Sequence, residues 1–385
     1  MATAPSDESY LPLSMPDITD LELANVHEAV ASTWISSSGS FLDDFERRFA
    51  DACGVRHALA ASSGTTALHL AVAALGAGPG DEVIVPSLTY IASANAISYV
   101  GATPVFVDVD PRTWCLDPDH VSSMISPRTV GIIAVHLYGH PADMDAIAQI
   151  AERHGLWVIE DAAEAPFGTY KGRTTGSIGD IGVFSFFGNK VLSSGEGGAA
   201  TTNDARLAER MRSLRGQGMD PERRYFFPEI GFNYRLTNVA AALLCAQFDR
   251  REYLLTARHE IADAYRTSLD QIPGLTPQPI AEWATWTPWL VSVLVEADQF
   301  GFDRDGLMDF LAREQIETRP FFIPMHSLPP YAELAARQGT AFPVTDRLAG
   351  SGVNLPTYPA MTSADVDRVA RSIRSLHALR DSSPN

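Results

Sequence analysis

The chain has 385 residues, 45% of them hydrophobic and 20% charged, enough for a sizeable core in one large α/β domain with an appendage or in two domains. Its 29 Lys and Arg against 47 Asp and Glu leave a net charge of −18, which argues against non-specific binding to nucleic acid or an anionic membrane surface and requires local donors for any anionic ligand. Three cysteines, Cys53, Cys115 and Cys245, are far apart with no CxxC spacing, so neither a zinc cluster nor a disulfide framework is expected and a reducing cytosol is the natural setting.

The start, MATAPSDESY, is polar and acidic and lacks the basic and apolar parts of a signal peptide. The most apolar stretch, ALHLAVAALGAG, breaks at glycines well short of the roughly 20 residues a membrane span needs. The expectation is a soluble, cytoplasmic protein. Residues 1–15 are predicted to be a flexible tail, followed by a helix over MPDITDLELANVHEAVASTW with Asp20 as its cap. Five short apolar runs follow, DEVIVP (81–86), TPVFVD (103–108), VGIIAVH (130–136), LWVIED (156–161) and IGVFSF (181–186), with helical patterns such as 89–99 and 141–154 between them. Strands that are apolar throughout and alternate with helices predict a parallel sheet covered on both faces, with ligands gathering beyond the strands' carboxyl ends. Near Arg250 the pattern changes to a charged helix, RREYLLTARHEIADAYRTSL, then a Pro/Trp-rich segment, a strand in LVSVLVEA and a helix in RDGLMDFLAREQ. The chain therefore divides into a large domain, 16–250, and a smaller α+β domain, 251–385.

Three stretches carry chemistry. In ASSGTTALHLAVAAL, Ser62, Ser63, Gly64, Thr65 and Thr66 precede an apolar helix; taken alone this arrangement reads first as an ordinary N-cap, and it is also a physical recipe for holding a phosphate. WVIEDAAEAPFG puts Glu160 and Asp161 at the end of a buried strand, where a carboxylate is costly unless paired. Asp161 either caps a helix starting at Ala162 or faces a cationic ring nitrogen. Lys190 follows the next strand in FSFFGNKVLSSGEGG; apolar surroundings pull a lysine amine below about 10.4, as a Schiff-base lysine requires. A cradle, a strand-end carboxylate and a desolvated lysine, in that order on an α/β sheet, are the parts that hold pyridoxal phosphate. His136 and His140 in HLYGH are expected to be structural or pocket-lining, because Gly139 and the preceding strand spoil helical ligand geometry; no metal is predicted.

These stretches, together with VHLYGHPADMD, EDAAEA, GSIGDIGVFSFFGNK, GEGGA and GFNYRLTN, resemble the DegT/DnrJ/EryC1/StrS family of pyridoxal-phosphate-dependent nucleotide-sugar aminotransferases. The resemblance implies fold type I: a large domain with a mixed, mostly parallel sheet and a smaller C-terminal α+β domain. It makes Lys190 the cofactor-linked lysine and proton carrier, and Asp161 the partner of the pyridinium nitrogen. It places Glu164 near the ring hydroxyl and stacks Tyr90 on the ring. Gly64, Thr65 and Ser185 would hold the phosphate, with Asn233 reaching across from a second subunit of a homodimer with shared sites. L-glutamate would load its amino group onto the cofactor, and the pyridoxamine form would aminate a keto sugar on a nucleoside diphosphate. Arg223, Arg224, Arg319 and His326 are the candidates for holding the diphosphate.

The segments STWISS, RGQGMDPERRYFFPEIGFNYR and ETRPFFIPMHSLPPY resemble the family's branch acting on GDP-4-keto-6-deoxymannose. Enzymes of 3-keto, mycosamine-type sugars or of dTDP-linked sugars share most of these motifs. A sugar dehydratase of the same fold typically replaces the lysine with histidine, and a cofactor-binding regulator has no need of Lys190 and Asp161. Pro166, Phe167 and Gly168 depart from the family's usual His-Gly, and Ser193 and Ser194 stand where Thr-Thr is usual.

Overall fold

The computed structural model describes residues 10–380. In chain order its first strands are β1 (His57–Ala61), β2 (Glu82–Pro86), β3 (Thr103–Val107), β4 (Thr129–Val135) and β5 (Trp157–Asp161). A short hairpin of β6 (Thr169–Tyr170) and β7 (Arg173–Thr174) precedes β8 (Ile181–Ser185) and β9 (Gly198–Thr202). Seven of these form one sheet in the order β1-β9-β8-β5-β4-β2-β3. Only β9 runs against its neighbours; the other pairings are parallel. Since β1 and β8 both oppose β9, six strands leave the sheet at the same edge.

The five predicted apolar runs are five of these strands, and every residue of β2 is buried, as a sheet covered on both faces requires. The two strands absent from the sequence reading are β1 and β9, whose HALAA and GAATT offer small residues in place of a β-branched run. Their pairing rests on backbone complementarity and on packing by the helix Gly64–Ala74.

Two expectations at the N-terminal end are corrected. The helix Asp20–Ala31 is capped by Thr19, one residue before the expected Asp20, because Thr19 has the extended backbone a cap needs and exchanges hydrogen bonds with Glu22. Within the expected flexible tail 1–15, residues 10–15 are packed: Leu11 pairs with Ile316, Leu13 is buried, and the Leu13 N–H donates to Glu317 at 2.9 Å. The two leucines supply enough apolar surface to fix the segment; residues 1–9 lie outside the described residues.

After the helix Asn238–Asp249, the helix Arg251–Leu269 leads away from the large sheet. The strands β10 (Leu275–Pro277), β11 (Ala284–Thr285), β12 (Val291–Val295), β13 (Arg319–Pro320) and β14 (Gly352–Leu355) follow. Four make a second, antiparallel sheet, β10-β12-β14-β13. β11 instead extends the β6–β7 hairpin, and Phe321, Met325, Tyr331 and Phe342 bury themselves in the same core as the large sheet. Residues beyond 250 thus reach back over the first sheet and roof its carboxyl edge.

A second core lies behind β1 and β9, where Phe49 is fully buried and packs edge-on or stacked against Phe45, Phe167, Phe184, Phe186 and Phe248. Phe49→Ala should cost about 3–5 kcal/mol, read from equilibrium denaturation; a loss under about 1 kcal/mol would mean that this cluster does not stabilise the sheet.

Candidate active site

Beyond the carboxyl edge lies a cavity of about 340 Å³, within the range of small-molecule pockets, about 300–1,000 Å³. The loops after β1, β2, β5 and β8 line it from below, and Trp289, Arg319 and Phe322 from above. A larger cleft of about 590 Å³ beside Trp34, Arg215 and Arg235 lies apart from Lys190 and Asp161.

After β1 the chain turns straight into the helix Gly64–Ala74. Ser63 caps it: the Thr66 N–H donates to Ser63 Oγ at 3.1 Å, and the Ser63 N–H donates to Thr66 Oγ1 at 2.9 Å. This reciprocal cap leaves the N–H groups of Gly64 and Thr65 aimed outward at the positive end of the helix dipole, an anion site. A Cβ on Gly64 would lie 2.8 Å from the Ser185 Cβ, so only glycine lets the Ser185 hydroxyl stand beside those N–H groups.

Asp161 ends β5, and the segment after it is a tight turn instead of a helix, which removes the capping role. Its carboxylate accepts from Ser93 Oγ at 2.8 Å and from the Ala163 N–H at 3.2 Å. Burial nevertheless dominates and pushes the Asp161 carboxyl above its ordinary value. Glu164, three residues on, is also buried; it accepts the Tyr138 N–H at 2.7 Å and faces Lys190 Nζ at 3.7 Å. Burial raises Glu164 to about 7, against the pull of the Lys190 charge. Lys190 lies with its Nζ 3.7 Å from the centre of the Trp289 ring. Burial is the largest influence on its amine and lowers it, Glu164 and Asp161 oppose this, and Arg319 adds to the lowering. The expected desolvated lysine is present.

Glu160, next to Asp161, points to the other side of the sheet. It is fully buried and accepts from the N–H groups of Gly176, Ile178 and Gly179 at 2.9, 2.6 and 2.7 Å and from His136 Nε2 at 3.0 Å. His136 Nδ1 accepts the Ala142 N–H at 3.0 Å, so Nε2 carries the hydrogen donated to Glu160. His140 is likewise buried between the Pro141 carbonyl and the Ala281 N–H. Both histidines are structural, and among the described residues no group of three His, Cys, Asp or Glu side chains is placed to hold a metal ion.

The cavity gathers Gly64, Thr65, Tyr90, Asp161, Glu164, Ser185, Lys190 and Arg319 from the sequence reading. Three other groups it does not gather. His326 sits behind the wall, bonded through Nδ1 to Ser87 Oγ (2.8 Å) and through Nε2 to Asp346 (2.9 Å), with Phe342 stacked on its ring. Arg223 and Arg224 stand on an exposed segment against the rings of Phe226 and Tyr225. Asn233 is exposed, with its backbone bridged to Gly216. Sequence reasoning missed Ser93, Tyr138 and Trp289. Ser93 was legible as a serine in the first turn of a helix after β2, whereas the Tyr138 N–H reaches Glu164 only because Tyr138 takes a left-handed conformation (φ 52°). The following Gly139 (φ 92°) has no space for a Cβ, which would come 1.7 Å from the Thr287 carbonyl oxygen.

This donor set fits pyridoxal phosphate: free helix N–H groups and a hydroxyl for the phosphate, a buried carboxylate for the ring nitrogen, and an amine with a lowered pKa beside them. Fold and site together define a pyridoxal-phosphate-dependent aminotransferase. The chain belongs to the DegT/DnrJ/EryC1/StrS aminotransferase family, whose model matches residues 16–374. It is 49% identical to a GDP-perosamine synthase of Caulobacter vibrioides over 96% of this chain and 98% of that protein. A GDP-perosamine synthase of Escherichia coli O157:H7 is 42% identical over 96% of this chain and 99% of its own length. The structure of a sugar aminotransferase described as putative, Spr1654 from Streptococcus pneumoniae in its PMP form, superposes with a TM-score of 0.90 at 28% identity, covering 97% of this chain and 99% of that one.

Two outcomes follow from this geometry. Gly64→Ala should weaken retention of pyridoxal phosphate at least about tenfold in an absorbance titration, roughly 1.4 kcal/mol; unchanged affinity would remove Gly64 and Ser185 from the phosphate site. Glu164→Gln deletes the carboxylate that favours the ammonium form of Lys190, so the amine should titrate lower still. In cofactor-stripped protein at a pH near 8, mass spectrometry of the Lys190 peptide should show faster modification by an amine-reactive reagent than in the native chain, and equal or slower labelling would contradict the pairing.

Proposed function

We propose that the chain transfers the amino group of L-glutamate to C4 of GDP-4-keto-6-deoxy-D-mannose, giving 2-oxoglutarate and GDP-perosamine. The observation that carries this substrate is the 49% identity, along nearly the whole chain, to the Caulobacter vibrioides GDP-perosamine synthase.

Pyridoxal phosphate, when bound, supplies an electron sink and a carrier for the amino group. The remaining work belongs to the chain. The N–H groups of Gly64 and Thr65 and the Ser185 hydroxyl hold the phosphate, Tyr90 covers a ring face, and Glu164 meets the ring hydroxyl. Asp161 retains the proton on the ring nitrogen; its Ser93 and Ala163 hydrogen bonds aim it. Lys190 Nζ takes the proton from the donor carbon and returns one at C4 of the sugar, a task suited to an amine whose burial brings its pKa toward neutrality. The aromatic rings of Trp289 and Phe322 exclude water.

Arg319 is the arginine inside the cavity and meets an anionic group of either substrate. Arg223 and Arg224 remain the candidates for the diphosphate, and Asn233 for the phosphate of a second site; His326, with both ring nitrogens engaged, drops out. Both proposals need a homodimer with shared sites, in a cytoplasmic setting. Its support is the apolar surface around them: Tyr225, Phe226, Phe227 and Ile230 are exposed, Ile230 to 91%, as are Trp34 and Ile35. No helix among the described residues is long and apolar enough to cross a membrane.

The deciding experiment is single-turnover amino transfer from the pyridoxamine-loaded protein to GDP-4-keto-6-deoxymannose, with the product identified by mass and NMR. A C4-amino product is expected. No turnover with that sugar, and turnover with a 3-keto or dTDP-linked one, would replace the substrate and leave the class standing. A dimer in solution whose Asn233→Ala variant holds the cofactor less tightly is expected alongside; a monomer with full cofactor occupancy would refute the shared site.

A further inference from the structure

Trp289 stands just before β12 and is buried, so packing alone accounts for its presence there. Packing does not account for its three directed contacts. The face of its ring lies 3.7 Å from Lys190 Nζ. Its indole N–H donates at 2.9 Å to the carbonyl of Asn189, the residue before Lys190 and 100 positions away in the chain. Its own carbonyl accepts at 2.7 Å from the guanidinium of Arg258.

Arg258 is 1% exposed and donates also to the Thr357 carbonyl at 3.0 Å. Its partners are those two backbone carbonyls, with no carboxylate among them, and burial lowers it to about 10. A buried cation without a counter-ion is expensive. What this one secures is the backbone at Trp289, which lines the cavity, and at Thr357, just after β14. Tyr138 lies nearly parallel to the indole, at 6.3 Å and 21°.

We propose that Trp289 is the positioning residue for Lys190, holding the lysine's backbone through its indole N–H and the amine through its ring face, with Arg258 fixing the tryptophan in turn. This deepens the reading of Lys190 as the cofactor-linked lysine and rests on it. A ring face favours a cation, so Trp289 joins Glu164 and Asp161 in supporting the protonated amine against burial and against Arg319, the other charged groups that face it.

The test uses holoenzyme carrying Trp289→Leu, Trp289→Phe or Lys190→Ala. In the leucine variant the pH midpoint of the visible band of the lysine-linked cofactor should fall by roughly 0.4–1.5 units, and loss of that band on adding L-glutamate should slow several-fold. The phenylalanine variant keeps a ring face but no N–H for Asn189; its midpoint should move less, while its turnover falls with KM for both substrates unchanged. A native midpoint in the leucine variant overturns the proposal. If that variant does not fold or bind cofactor, a native rate and midpoint in the phenylalanine variant overturn it. A Lys190→Ala protein that keeps the band overturns the underlying assignment of Lys190 instead.

Discussion

The site depends on how β5 ends. Successive side chains of a strand point to opposite faces, so Glu160 and Asp161, adjacent in sequence, serve opposite ends. Glu160 turns away from the cavity and takes four donors, three from the backbone of residues 176–179 and one from His136. Burial would push its carboxyl up, but these donors outweigh burial and hold it below its ordinary value. The clamp ties the loop before β8 to the end of β5, and β8 pairs in parallel with β5 through Asp161↔Val183. Lys190 follows β8 and Asp161 ends β5, so a buried carboxylate that never touches the cavity holds together the two strands from which base and carboxylate project.

Inside the cavity the charges are set against one another. Burial raises Asp161 and Glu164 and lowers Lys190, each shift working toward the neutral form, while their mutual attraction works toward the charged one. A lysine in water would be protonated throughout the neutral range, and a carboxylate in water ionised. Here burial moves the lysine down and the carboxylates up, the direction that acid–base work requires. The left-handed Tyr138 belongs to the same arrangement, since a relaxed backbone there would leave Glu164 without the N–H that orients it.

Much of this was legible in the sequence because it is local. Apolar β-branched runs gave five of the seven strands, and a small-residue turn before an apolar helix gave the capped helix start that opens on the cavity. A carboxylate and a lysine at consecutive strand ends gave the chemistry. What was not legible depends on contacts between distant segments. β1 and β9 lack a strand-like pattern and exist through pairing with each other and with β8. Trp289 reads as one tryptophan in a Pro/Trp-rich segment, and its meaning appears only when β11 joins the β6–β7 hairpin and carries the segment over the cavity. Leu11 and Leu13 look like part of a polar tail until Ile316 and Glu317 supply their partners.

That pattern divides the labour of the site. Gly64, Thr65, Asp161, Glu164, Ser185 and Lys190 all come from the carboxyl edge of one sheet, where strand pairing fixes their spacing. Trp289, Arg319 and Phe322 come from beyond residue 250, and only contacts such as Trp289 to Asn189 and Tyr138 to Phe322 connect them to that edge. Changes at Arg319 or Phe322 can therefore alter the shape and charge presented to a substrate while leaving the sheet-edge constellation in place, whereas Trp289 reaches Lys190 itself. Changes at the edge must preserve strand register, because a one-residue slip of β5 would exchange the faces of Glu160 and Asp161 and destroy the clamp and the site together.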